Sequence, residues 1–319
     1  MITTLVILAL VALLVLAGPR ERVSAPARVH RPDLPGDLDA WLAASEARVS
    51  GIRDGLHKEI VWHDPAARAQ TGIAVVYLHG FTASKAEVRP VPDRLAAALG
   101  ANLFYTRLAG HGLDGDALGR VRAEAWLDDT VEAIAIGKRL GQRVVLTGCS
   151  TGATLAVWAA LHPDLRDDIA ALVLVSPNFR INSAAAILTG WPWMRQVLGL
   201  LRIRSTPARP DNPAFMHAWT PDWPLTAVLP VGAVVRMVER LDLGAARQPL
   251  LVLNHPDDQV VVTAATVAAF DAWGGAPKQR IEVTDCEDAF NHVISGDIVS
   301  PGTVGRVSDA AIAFLRGLD

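Results

Sequence analysis

Residues 143–162 read RVVLTGCSTGATLAVWAALH, and the way this stretch folds decides how the rest of the chain is organised. RVVLT is a short β-branched run, GCSTG is a turn of small residues, and ATLAVWAAL is an apolar stretch of helical length. Strand, sharp turn and helix in that order place Ser150 at the C-terminal end of a strand, with Gly148 and Gly152 on either side. The glycines have a steric reason, because a side chain at either position would run into the helix or the neighbouring strand. The helix is apolar all round rather than on one stripe, so it is expected to be central and buried. Taken alone, such a turn also serves any parallel-sheet protein, and its meaning depends on its setting.

Comparable runs recur at 59–63, 73–78, 102–107, 171–176, 250–254 and 280–284, which with 143–147 makes seven expected strands. Most are continuously apolar, as strands buried on both faces are. Helices are expected at 38–49, 87–98, 124–140, 151–162, 263–273 and 306–317. Within 124–140, Leu127, Val131 and Ile134 stand at i, i+4 and i+7 and form one amphipathic stripe. Regular β–α alternation predicts an α/β protein with a mainly parallel sheet flanked by helices. One interval, 179–246, breaks the rhythm and is too long for a plain connection. It holds Trp191, Trp193, Trp219 and Trp223, which either form a small core of the insertion itself or line an apolar pocket.

Composition narrows the functional classes. The chain has 319 residues and a formal net charge of −3, without the basic excess a nucleic-acid partner requires. Cys149 and Cys286 supply neither a disulfide framework nor a metal-ligand pattern, and the nine histidines show no ligand spacing, so no metal is expected. GHGLDG at 110–115 matches G-x-G-x-x-G, but DALGRVRAE follows it without clean helical periodicity. It is also not on the first β–α unit, so a nucleotide cofactor is not expected either. At the N-terminus an apolar run covers 5–17 and is followed by Arg20, Arg22, Arg28 and Arg31. About 20 helical residues span a bilayer, and charges after the run favour a membrane anchor with the remainder on the cytoplasmic side. A cleaved signal peptide is the alternative.

In this setting Ser150 has the context of a nucleophile elbow. A serine hydroxyl needs a base, and the base needs an orienting acid. Of the histidines, only His255 and His292 follow the insertion, and only His292, in CEDAFNHVIS, also follows a strand-end acid. PLLVLNHPDDQVVV offers Asp257 and Asp258 just beyond a strand. Asp258 fits D-x-V-V, with the valines opening the next packed segment, and leaves Asp257 as a turn residue. Asp285, Glu287 and Asp288 stand close to His292 in sequence and are read as loop polar residues. An oxyanion needs two aimed N–H groups. Thr151 supplies one directly after Ser150, and Phe81, in the loop of IAVVYLHGFTAS, supplies the other. His79 in that loop is read as structural.

LHGFTAS, RLAGHG, TGCSTG, HPDDQVV and the late NHV together resemble the α/β-hydrolase superfamily, in its lidded carboxylesterase and monoacylglycerol-lipase-like branch, over about residues 58–319. The resemblance implies an eight-stranded, mainly parallel sheet with a helical cap inserted after the sixth strand. The expected organisation is an anchor or signal segment at 1–19, a connector and helix at 20–57, a core at 58–178 and 247–319, and a cap at 179–246. It further implies a Ser150–His292–Asp258 triad, oxyanion donors Phe81 and Thr151, and cleavage of lipophilic carboxylic esters of monoacylglycerol or lysophospholipid type. Thioesterase, amidase or peptidase, and acyltransferase chemistry share this machinery, and some chains of this fold only bind. Two departures stand out: Asn291 occupies the place before the last histidine where relatives often have glycine, and the acid is doubled at Asp257-Asp258.

Overall fold

All seven β-branched runs become strands in the computed structural model, which describes Thr4, Leu13 and residues 16–318 other than Ala27, Pro207 and Pro210. They are β1 (Glu59–Val61), β2 (Thr71–Leu78), β3 (Asn102–Tyr105), β4 (Gly141–Cys149), β5 (Ile169–Val175), β6 (Leu250–Asn254) and β7 (Lys278–Glu282). Among the described residues they form one sheet in the order β1-β3-β2-β4-β5-β6-β7. Only the β1–β3 pair is antiparallel. The sheet thus has the seven strands read from the residues rather than the eight implied by resemblance, and the insertion follows the fifth strand, not the sixth. β4, which leads into Ser150, lies at the centre between β2 and β5.

The helices are α1 (Leu38–Ala47), α2 (Val91–Leu99), α3 (Gly115–Arg120), α4 (Ala123–Leu140), α5 (Thr151–Leu161), α6 (Met194–Leu201), α7 (Pro213–Ala218), α8 (Val228–Val238), α9 (Thr263–Ala272) and α10 (Val304–Arg316). α2 begins at Val91 instead of 87, with Pro90 at its N-cap and Pro92 in its first turn. Proline ends the preceding backbone conformation yet suits a first turn, where no N–H acceptor is needed. α3 was not expected. The Asp114 side chain caps it by accepting from Ala117 N at 2.7 Å, so the GHGLDG segment does open into a helix, of only six residues.

β4 shows why its sequence reads as a continuous apolar run. Val144 and Leu146 face one buried cluster with Trp126 of α4 and Trp158 of α5, while Val145 and Cys149 face a second with residues of α2 and α10. Helices cover both faces, so neither parity of the strand can be polar. α5 is buried at every position from Thr151 to Ala160, as its all-round apolarity predicts.

The insertion is not uniform. Val231, Val234, Met237 and Val238 of α8 belong to the same core as α5 and α4. The segment around α6 instead leaves Ile187, Leu200 and Leu201 exposed, at 68%, 84% and 58%.

The expectation of a transmembrane helix is corrected: among the described residues no helix is long and apolar enough to cross a membrane. Most of the run 5–17 falls outside the described residues. The chain just after it is packed down. Glu21 is buried and its carboxylate receives Arg122 at 2.7 Å and Arg195 at 2.9 Å, while Trp193 N donates to Pro19 O at 2.8 Å.

Candidate active site

Ser150 sits between β4 and α5 with φ +51° and ψ −117°, a backbone state that costs a non-glycine residue about 1–3 kcal/mol. Its main chain is held on both sides: Ser150 N donates to Val175 O at 3.0 Å, and Ser150 O accepts from Asn178 N at 3.2 Å. The flanking glycines are required by close approach. A Cβ on Gly152 would stand 2.0 Å from Leu78 O, and one on Gly148 would stand 2.8 Å from Ala153 N. Backbone atoms cannot yield as a flexible side chain can. The turn therefore stays tight and lifts Ser150 to the edge of a cavity.

Asp258 and His292, 34 residues apart, meet by a hydrogen bond of 2.7 Å between His292 Nδ1 and Asp258 Oδ2. The other carboxylate oxygen accepts from Val260 N at 2.8 Å and Val261 N at 2.9 Å, so the valines of D-x-V-V orient the acid through their amides. Asp257 is exposed and Asp258 buried, and it is Asp258 that reaches the imidazole. Burial opposes protonation of His292, but the hydrogen bond and charge of Asp258, with Glu87 and Asp288 behind it, outweigh that and raise its pKa above the ordinary 6.5.

The turn that carries His292 is built around Asp288. Asp288 Oδ1 accepts from Phe290 N at 2.9 Å, and Oδ2 accepts from His292 N at 3.2 Å and Val293 N at 2.6 Å. Arg209, from the insertion, pairs with Oδ1. The Ser176 hydroxyl donates to His292 O at 2.6 Å. Asn291 has φ +55°, a left-handed conformation that glycine adopts freely and asparagine tolerates better than most residues. The departure from glycine noted in the sequence thus keeps the same backbone requirement.

The loop after β2 is clamped by two neutral histidines. Leu108 N donates to His79 Nε2 and Thr82 N to His111 Nε2, each at 3.0 Å, so in both rings the proton rests on Nδ1. His79 Nδ1 donates to Gly80 O at 2.9 Å, and Ala83 N also donates to that oxygen at 3.2 Å. The peptide plane that carries the Phe81 N–H is fixed from its carbonyl side. Burial lowers the His79 pKa to about 4 and drives that of His111 well below its usual range, which keeps both rings neutral. Behind the loop, Glu87 Oε2 accepts from Gly80 N at 2.8 Å and from the Tyr77 hydroxyl at 2.9 Å. Burial raises its pKa despite these donors.

Ser150, His292, Phe81 and Thr151 border one cavity of about 340 Å³. Trp219 and Trp223 also line it, with Trp223 meeting Phe81 edge-on at 5.1 Å between ring centroids. Trp191 and Trp193 do not line it and stand 54% and 36% exposed, which corrects their assignment to the pocket. They lie just before α6, in the segment whose Ile187, Leu200 and Leu201 are also exposed.

The sequence profile of a family described as serine aminopeptidase, S33, matches residues 69–287. The chain belongs to that family. It is a serine hydrolase of the α/β-hydrolase fold. A thermostable monoacylglycerol lipase from Bacillus sp. (strain H-257) is 26% identical over 234 residues, 73% of this chain and 88% of that protein. Among solved structures, a metagenome-derived lipolytic enzyme superposes with a TM-score of 0.62 at 20% identity, over 83% of this chain and 99% of that one. A monoacylglycerol lipase from Paleococcus ferrophilus gives 0.60 at 14% identity, over 83% and 99%. These structural likenesses speak for the fold.

Two residues of the cavity lining, Asp288 and Glu87, and one beneath a neighbouring loop, Asp129, have structural roles not expected from the sequence. Asp288, read as a loop polar residue, organises the histidine turn, and the tight D-x-x-x-H spacing of DAFNH is the pattern that lets successive amides wrap one carboxylate. Glu87 carried no motif. Asp129 accepts from Ala109 N at 2.6 Å in the RLAGHG loop, and burial pushes its pKa up to about 7.

Proposed function

We propose that this hydrolase cleaves carboxylic esters by acyl transfer from Ser150 to water. The observation that carries the reading is that a serine on a strained elbow and a histidine hydrogen-bonded to the buried Asp258 border the same largely apolar cavity. His292 Nε2 takes the Ser150 proton while its Nδ1–H is held by Asp258. The alkoxide attacks the ester carbonyl, and the Phe81 and Thr151 amides receive the oxyanion. Collapse expels the alcohol, which takes the proton from His292. Water then attacks the acyl-serine with the same histidine as base, returning the acid and free serine.

Lipophilic acyl groups fit the lining of Phe81, Trp219, Trp223, Val228 and Val231, and the relative from Bacillus is named a monoacylglycerol lipase. The segment 179–246 acts as a cap over this cavity, with 58–178 and 247–319 as the catalytic core. Aminopeptidase action, suggested by the family's description, needs an uncommitted carboxylate for the substrate's α-ammonium. The two acids of the lining are both engaged, Asp288 by Arg209 and three amides, Glu87 by Tyr77 and Gly80.

The test combines a fluorophosphonate probe with a chain-length series of p-nitrophenyl esters. Ser150 is expected to be the labelled residue and octanoate to be preferred over acetate. Absence of label on Ser150 overturns the serine mechanism, and a preference for acetate overturns the lipophilic substrate.

A further inference from the structure

The cavity has two chemical ends, set by which partner each wall touches. At one end Phe81 and Trp223, packed edge-on, give an apolar wall beside the oxyanion loop. At the other, Asp288 accepts from the His292 amide and pairs with Arg209, whose guanidinium faces Phe215 and Phe290. In acyl transfer through a serine and a histidine, the histidine protonates the departing alcohol. The His292 end therefore receives the alcohol part of the ester, and Arg209 is the one cationic side chain among the described residues of the lining.

Arg209 is held in place by contacts that, among the described residues, leave most of its donors unspent. Its guanidinium lies 5.5 Å from the Phe215 ring centroid and 5.8 Å from that of Phe290. Among the described residues its hydrogen bonding is confined to Asp288, through Nη2, out of the five N–H groups a guanidinium carries. Asp288 is in the opposite condition. Its two oxygens already accept from Phe290 N, His292 N, Val293 N and Arg209, which fills the roughly four lone-pair sites of a carboxylate. The pair thus offers donors without spare acceptors. Its charges also cancel, so this end has no net cation to offset the desolvation of an anionic headgroup.

Building on the ester-hydrolase reading above, we propose that Arg209 is a specificity-determining residue for the alcohol moiety, donating to the oxygen acceptors of a neutral, hydroxyl-bearing leaving group such as a polyol. A simple alkyl alcohol presents no such acceptor and gains nothing from it. Because the contact exists before and during reaction, its loss raises KM more than it lowers kcat.

The experiment compares kcat/KM for monooctanoylglycerol and ethyl octanoate, matched in acyl chain and used below their aggregation limits. With Arg209→Met the glyceryl ester is expected to lose about 10- to 100-fold, the worth of a hydrogen bond from a charged donor, mainly through KM. Ethyl octanoate is expected to lose only what weaker bracing of Asp288 costs, a loss common to both esters, so that the glyceryl ester's advantage over it falls by at least about tenfold. Arg209→Lys keeps the pairing with Asp288 but not the forked donors, so it carries the test if the Met variant does not fold; its preference for the glyceryl ester is expected to fall by at least about threefold. Equal losses on both esters, or no loss on either, overturn the proposal, since a residue acting only by bracing Asp288 and His292 would not distinguish the alcohols. A parent enzyme that prefers octanoylglycerol phosphate to monooctanoylglycerol overturns the neutral-polyol assignment. A parent that cleaves no ester overturns the ester-hydrolase reading itself and this proposal with it.

Discussion

The turn at Ser150 is shaped by the absence of side chains at Gly148 and Gly152, whereas the turn at His292 is shaped by one side chain, Asp288, that gathers three amides. The first is enforced by repulsion against backbone atoms of β2 and α5. The second is enforced by attraction, and its carboxylate is balanced by Arg209, 79 residues away in the insertion. Repulsion of this kind is written locally, because a missing Cβ is visible in the sequence. A hydrogen-bonded turn whose counter-charge comes from another element is not.

Removing the nucleophile tests what the serine turn is for. Ser150→Ala is expected to cut kcat on p-nitrophenyl octanoate by at least about 10³-fold with an unchanged melting transition, and activity within tenfold of the parent would sink the assignment. Gly152→Ala tests how the turn is made. The added Cβ meets the carbonyl of Leu78 at 2.0 Å, so a loss of more than about 4 kcal/mol or no soluble protein is expected. An ordinary denaturation midpoint would show that the turn can relax.

On the histidine side, Asp288→Asn keeps an acceptor but loses the charge that faces Arg209, and should cost about 1–3 kcal/mol together with a fall in kcat. Chemical denaturation with initial rates checks both, and a stability loss without a rate loss would separate the turn from the chemistry. The pH profile gives a smaller effect with a defined sign. His292 must be neutral to act as base, and its pKa is raised above 6.5, so the acid limb of kcat/KM should have its midpoint above that value. Stability runs the other way: the protonated His292–Asp258 pair contributes fully below 6.5 and loses this contribution as pH rises through the raised value. An acid limb centred at or below 6.5 would contradict the influence assigned to Asp258. The smallest change is expected for Asn291→Gly, within about 1 kcal/mol by thermal melting, since φ +55° suits either residue.

Much of the scaffold was legible. The seven runs became seven strands because a strand covered by helices on both faces has no polar parity to hide in. α3 escaped because a six-residue helix capped by Asp114 is too short to show a period. The four tryptophans of the insertion could not be told apart by composition. Trp219 and Trp223 line the cavity, whereas Trp191 and Trp193 lie outside its lining and remain partly exposed, a division set by which turns of the interval reach the cavity.

The sequence by itself determined the β–α order, the elbow at Ser150 and the positions of Asp258 and His292 beyond their strands. Each of these depends on short-range sterics or on chain order, which the residues carry directly. Only the tertiary structure decided that the Asp258 carboxylate comes within 2.7 Å of His292 Nδ1, that Asp288 builds the histidine turn and that Arg209 stands beside Asp288 in the cavity lining. Those outcomes depend on which groups from distant elements come within hydrogen-bond reach, and reach of about 3 Å is a property of packing, not of spacing along a chain.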